Sequence, residues 1–141
     1  MSPRLDVATA RSWLFVPGDR PGRFASALSS GADEVIVDLE DGVAPDAKEA
    51  ARDTVGAWLS GGASAWVRIN AWATPCFDAD VEALVGRPGL RGLVVPRAEA
   101  GDWLDALAGS APVVALVETA AGVVGVREVC ASGIVRKGVS I

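Results

Sequence analysis

Carboxylates and guanidinium groups stand at the ends of short apolar runs, where a hydrophobic core alone would place neither. The runs over residues 34–39, 65–69, 92–95 and 113–117 end in Asp38-Leu39-Glu40-Asp41, Arg68-Ile69-Asn70, Pro96-Arg97-Ala98-Glu99 and Glu118-Thr119. A fifth run, over residues 12–16, leads into Pro17-Gly18-Asp19-Arg20. Strand alternation puts Asp38 with Glu40, Arg68 with Asn70, and Arg97 with Glu99 on shared faces. Arg68 sits between Val67 and Ile69, and a buried arginine is costly unless it is paired or receives a carboxylate ligand on its forked donors. Two readings follow: a binding site for a carboxylate, or a structural ion pair with Glu40 or Asp41. Glu118 directly follows residues 113–117, so its carboxylate emerges at the strand end. Oxygen ligands there suit Mg²⁺, but such an acid also pairs with arginine or caps a helix. Asp19 reads as the N-cap of a helix starting near Pro21.

Composition narrows the chemistry. The 141 residues include no histidine, which removes imidazole bases, Ser-His and Cys-His nucleophile pairs and His-ligated metals. Catalysis would have to run on carboxylates, Arg, Lys, backbone amides or an oxygen-liganded metal. A net charge of -5 gives no attraction to nucleic acid or anionic membrane surfaces. No apolar run approaches the length of a membrane span, although half the residues are hydrophobic. Cys76 and Cys130 form no CxxC pair and residues 1–10 contain no apolar targeting core, so a reduced, cytoplasmic protein is expected.

The elements that must position these groups alternate. The five apolar runs are continuous rather than alternating, as in parallel strands buried on both faces. Helix-period segments lie between them, built on Phe24, Ala27 and Leu28; on Ala47, Ala50, Ala51, Thr54, Val55, Trp58 and Leu59; on Phe77, Val81, Leu84 and Val85; and on Trp103, Leu104, Leu107 and Ala108. A fifth helix is expected near Ala121. The α/β order fits about five units of a (β/α)8 barrel or a doubly wound open sheet; length alone favours the open sheet, and composition and period do not decide between them. Either fold gathers the charged strand ends on one side, although no GxGxxG or GxxxxGKS motif is present to favour a nucleotide site.

Five segments then carry a resemblance. They are Arg11-Ser12-Trp13-Leu14-Phe15-Val16-Pro17-Gly18-Asp19-Arg20-Pro21, Val37-Asp38-Leu39-Glu40-Asp41-Gly42-Val43-Ala44-Pro45, Val67-Arg68-Ile69-Asn70, Val95-Pro96-Arg97-Ala98-Glu99 and Leu116-Val117-Glu118-Thr119-Ala120. In this order and spacing the chain resembles the HpcH/HpaI aldolase/citrate lyase family, to which citrate lyase beta subunits belong. The resemblance implies a partial TIM barrel of the phosphoenolpyruvate/pyruvate superfamily, with residues 1–10 as a leader and 11–141 as the N-terminal part of the barrel. It also implies a homo-oligomeric, Mg²⁺-dependent carbon-carbon lyase that forms an oxoacid of the oxaloacetate or glyoxylate type and an acyl-CoA.

By motif, Arg68 would bind the oxoacid carboxylate and Glu118 the Mg²⁺, both serving as catalytic and substrate-binding groups. Glu40 and Asp41 would hold the metal's waters and orient Arg68 from behind. The family often has Lys where Arg97 stands. Its members are about twice as long, with a second metal carboxylate in a Gly-x-x-Asp type segment. Residues 133–141 look like the lead-in to that segment without the aspartate. The expectation is therefore a truncated member whose sheet ends at the fifth strand, either a lyase or an inactive remnant acting as an interaction module.

Overall fold

The computed structural model describes residues 7–140, so residues 1–6 of the expected leader and Ile141 lie outside the described residues. The strands are β1 (Trp13–Pro17), β2 (Glu34–Asp38), β3 (Ala65–Arg68), β4 (Leu90–Val95), β5 (Val113–Val117) and β6 (Val135–Ser140). Between them run α1 (Phe24–Leu28), α2 (Lys48–Ser60), α3 (Pro75–Leu84), α4 (Trp103–Ala106) and α5 (Ala120–Ala131). Every strand pair is parallel, and the order across the sheet is the order along the chain.

Local sequence explains the elements. In α2 the buried residues Ala51, Val55 and Leu59 recur at intervals of four, forming one stripe against the sheet. Fully burying Val55 or Leu59 contributes about 2 kcal/mol each. The helix stops at Gly61, and Gly62 takes a left-handed backbone with φ of 103°. All five residues of β2 and all five of β5 are buried, which is why both read as unbroken runs.

The two candidate folds are separated by which face the helices cover. Phe24 and Ala27 of α1, Val55 and Leu59 of α2, Phe77 and Leu84 of α3, Trp103 of α4 and Val129 of α5 all join one core with Val37, Val67, Leu93 and Val113. The opposite face carries a smaller cluster of Ile36, Trp66, Val94, Val114 and Leu116, joined by Trp13 of β1 and Val7. Helices on one side, with strands in sequential order, form an arc of a (β/α)8 barrel. A doubly wound sheet has helices on both sides and a reversal in strand order. The small cluster is the inner wall of that arc. Within it Gly92 lies against Trp66: a Cβ there would come 2.2 Å from the indole Cζ3 and 2.5 Å from the Pro112 carbonyl.

Two expectations need correction. Five strand-helix units are present, but the sheet does not end at the fifth strand, because residues 135–140 add β6 beside β5. Their interleaved Val, Arg, Lys and Gly hide the strand from a search for continuous apolar runs. The Lys137 amine donates to the carbonyls of Ala10 (3.0 Å) and Val7 (3.5 Å), tying the last strand to the segment before the first. Asp19 caps no helix: Arg20 precedes the 3-10 turn Pro21–Arg23 with no side-chain cap, and Asp19 lies 3.7 Å from Arg20 Nε. Pro21 presets that turn and has no N–H to be capped. Among the described residues, no helix is long and apolar enough to cross a membrane, and Cys76 and Cys130 are both free.

Candidate active site

At the carboxyl ends of β2 and β3 the parallel register sets Asp38 opposite Arg68. Asp38 Oδ1 accepts Arg68 Nε and Oδ2 accepts Nη2, both at 2.7 Å. Asp38 also accepts the backbone N–H of Glu40 (2.9 Å) and of Gly42 (2.8 Å). Four donors saturate an ionised carboxylate, so Asp38 is a structural partner with no capacity left for a ligand. Burial drives its pKa upward, but the Arg68 guanidinium and the two N–H groups outweigh this and hold it below the usual carboxylate range. The same pairing raises the pKa of Arg68 against the effect of burial.

The sequence foresaw a pairing of Arg68 with Glu40 or Asp41; the bidentate partner is Asp38. Strand register decides this, and register cannot be read from one strand alone. Glu40 is a second, looser partner, with Oε2 3.3 Å from Arg68 Nη1. The Phe15 ring covers the guanidinium, its centroid 4.7 Å from Cζ. Asp38 thus takes the Nε side of the fork, and the Nη1/Nη2 edge meets only the looser Glu40 contact.

The turn after β2 is tied down from α2. Lys48 Nζ donates to the carbonyls of Leu39 and Glu40, each at 2.8 Å. Gly42 is required there, since a Cβ would stand 2.5 Å from Asp38 Oδ2. Glu40 is buried, and that burial raises its pKa despite the nearby Arg68. Asp41 is exposed, and its N–H donates to Glu40 Oε2 at 3.2 Å.

Glu118 emerges at the end of β5, exposed, with Oε1 accepting the backbone N–H of Arg97 at 2.7 Å. Arg97 can aim its N–H this way because its backbone is left-handed, with φ of 49°. Next to Glu118, Thr119 caps α5 by accepting Gly122 N–H at 2.9 Å and donates its hydroxyl proton to Glu99 at 2.7 Å. Arg97 Nη2 approaches Glu40 Oε1 at 3.9 Å. Glu40 therefore links the Arg68 cluster to the Arg97–Glu118 cluster.

Asn70 does not share the Arg68 face. Its N–H and its side-chain amide both donate to Asp80 of α3, at 2.8 and 2.7 Å. Arg52 of α2 pairs with the other Asp80 oxygen at 2.7 Å. The chain has left β3 by Asn70, so strand alternation no longer applies. Asp80 is fully buried in this network, although its position near the start of a helix suggests only a solvated dipole partner.

Among the described residues no group of three or more His, Cys, Asp or Glu is arranged to hold a metal. The donor set nevertheless fits Mg²⁺ in its usual form, in which one or two carboxylates are supplemented by water and substrate oxygens. Glu118 supplies the exposed carboxylate at the end of β5, and Glu40, after β2, is joined to it through Arg97.

An arc of parallel β/α units with charged groups gathered at its strand ends is the arrangement of part of a TIM barrel. The HpcH/HpaI aldolase/citrate lyase family profile matches residues 11–139, and the chain belongs to that family. A citrate lyase subunit beta-like protein of Mycobacterium tuberculosis is 43% identical over 125 residues, covering 89% of this chain and 45% of the relative. An L-malyl-CoA/beta-methylmalyl-CoA lyase of Cereibacter sphaeroides is 34% identical over 155 residues, covering 94% and 48%. The chain thus spans about half the length of the curated relatives it matches. The M. tuberculosis citrate lyase beta subunit complexed with oxaloacetate and magnesium superposes with a TM-score of 0.83 at 38% identity, covering 96% of this chain and 60% of that one. The CitE protein of the same organism, in complex with magnesium, acetoacetate and coenzyme A, gives 0.83 at 39% identity, covering 95% and 49%.

Proposed function

We propose that this chain provides the oxoacid and metal half of a Mg²⁺-dependent carbon-carbon lyase that works as a homo-oligomer in the cytoplasm. The substrate class is a citryl-CoA-like or malyl-CoA-like thioester, cleaved to an oxoacid and an acyl-CoA. The observation that carries the reading is the Arg68 fork, held on its Nε side by Asp38 and met on its outer edge only by the looser Glu40 contact, which a substrate carboxylate would join or replace. In this reading Arg68 binds the oxoacid carboxylate and Glu118 ligates the metal. Glu40 and Asp41 hold the metal's waters, and Glu40 orients Arg68. When bound, Mg²⁺ supplies Lewis-acid stabilisation of negative charge on the oxoacid oxygens. Phe15 and Asp38 fix the guanidinium plane, so the carboxylate is received in one orientation. The Arg97 N–H fixes the Glu118 carboxylate in the same way. None of these roles needs a histidine.

A thermal melt of the chain with and without Mg²⁺ and oxaloacetate tests the reading, because a ligand that binds only the folded state raises the midpoint. The expected result is a rise when both are present, lost in Glu118→Gln. This exposed substitution leaves the fold intact, whereas Arg68→Ala would strand the buried Asp38 charge and confuse binding with stability. A midpoint indifferent to both ligands would reject the lyase reading. It would favour the alternative, a non-catalytic interaction module. That alternative draws on β1 and β6 each having, among the described residues, a single strand neighbour.

A further inference from the structure

We propose that Arg97 selects oxoacids carrying a second carboxylate, receiving that group on its guanidinium while Arg68 holds the first. The inference rests on the proposed role of Arg68 and adds a specificity determinant to it. Three observations support it. First, the two guanidinium groups bracket one carboxylate: Glu40 lies 3.3 Å from Arg68 Nη1 through one oxygen and 3.9 Å from Arg97 Nη2 through the other. A short chain with an anionic group at each end can span the same two cations.

Second, the Arg97 side chain is 62% exposed, and its ion pair with Glu40 is loose. Its donors are available to a ligand, in contrast to those of Arg68 on the Asp38 side.

Third, the base of Arg97 is rigid. Its N–H is bound to Glu118, the next residue, Ala98, is buried and bonds its N–H to the Leu116 carbonyl at 2.9 Å, and Glu99 accepts the Thr119 hydroxyl. Among the described residues only Ala73 and Arg97 have positive φ without being glycine, and both line one cavity of about 470 Å³. Strained backbone of this kind is retained where surrounding structure over-determines it, often at binding sites.

The test is calorimetric titration of the full chain, with Mg²⁺ present, using oxaloacetate and pyruvate as dicarboxylate and monocarboxylate probes. The wild type should bind oxaloacetate about tenfold more tightly, as expected for one added charged hydrogen bond. Arg97→Ala should erase that advantage, lowering oxaloacetate affinity more than pyruvate affinity, and Arg97→Lys should restore part of it. Arg97→Gly, which takes the left-handed backbone without strain, is the second truncation and should match Arg97→Ala. A preference that survives both truncations overturns the proposal, as does a wild type that binds the two acids equally; neither result touches the Arg68 reading. A wild type that binds neither acid defeats both.

Discussion

Asp38 shows how one carboxylate can organise a site without touching its ligand. It folds the turn through two N–H groups and aims Arg68 through two more donors, so its ionisation is built into the native state. Its pKa is lowered on folding, so its stabilising contribution is complete above the ordinary value of 3.8 and is lost as pH falls through the depressed native value. We expect acid to lower the melting midpoint of the wild type in that range. Asp38→Asn should flatten this dependence and cost about 3 kcal/mol at neutral pH, because it leaves a buried guanidinium without its counter-charge. Denaturant titrations at several pH values measure both. An unchanged acid limb in Asp38→Asn would assign the effect to other carboxylates. In the sequence, Arg68 stood out as a charge inside an apolar run, and Glu118 as an acid at a run's end. Asp38 drew attention only through the face it shares with Glu40, and its partner came from register. The Phe15 lid joins residues distant in sequence, and the Lys48 tether ends on backbone carbonyls, so neither left a side-chain pattern to find.

The elements place these side chains through close backbone approach as well as through burial. Gly92 in β4 lies against the Trp66 indole, itself fixed by a hydrogen bond from Nε1 to Glu34 at 3.1 Å. Gly92→Ala should therefore cost about 3 kcal/mol by overpacking, and chemical denaturation should show the loss. A cost under about 0.5 kcal/mol, typical of a surface change, would mean that the inner wall yields easily. Although β1 is largely exposed, the first five strands were legible because their apolar runs are continuous and end in charge. β6 was not, since Lys137 and Gly138 interrupt it. The α1 and α4 segments showed helical spacing but form helices of only five and four residues. Their apolar residues anchor short connections, with Trp103 bonding the Glu99 carbonyl through Nε1 at 2.6 Å.

At the scale of the whole molecule, several exposed apolar side chains gather at the two flanks of the sheet. Leu14 and Phe15 lie on β1, and Val123, Val124 and Val126 lie on α5, next to β6. Unpartnered strand edges beside apolar surface favour association. Sedimentation equilibrium should give a mass above that of a single chain, and Val124→Lys, at a residue 88% exposed, should reduce it without lowering the melting midpoint. A single-chain mass in the wild type would remove that expectation. Periodicity leaves a barrel arc and a doubly wound sheet both open, because both alternate strand and helix, and length alone favours the doubly wound sheet. The strictly sequential strand order that separates them also bears on how the chain is made. Each strand emerging from the ribosome finds its only earlier neighbour already in place. The sheet can therefore grow one unit at a time during synthesis, its newest strand always at the growing edge.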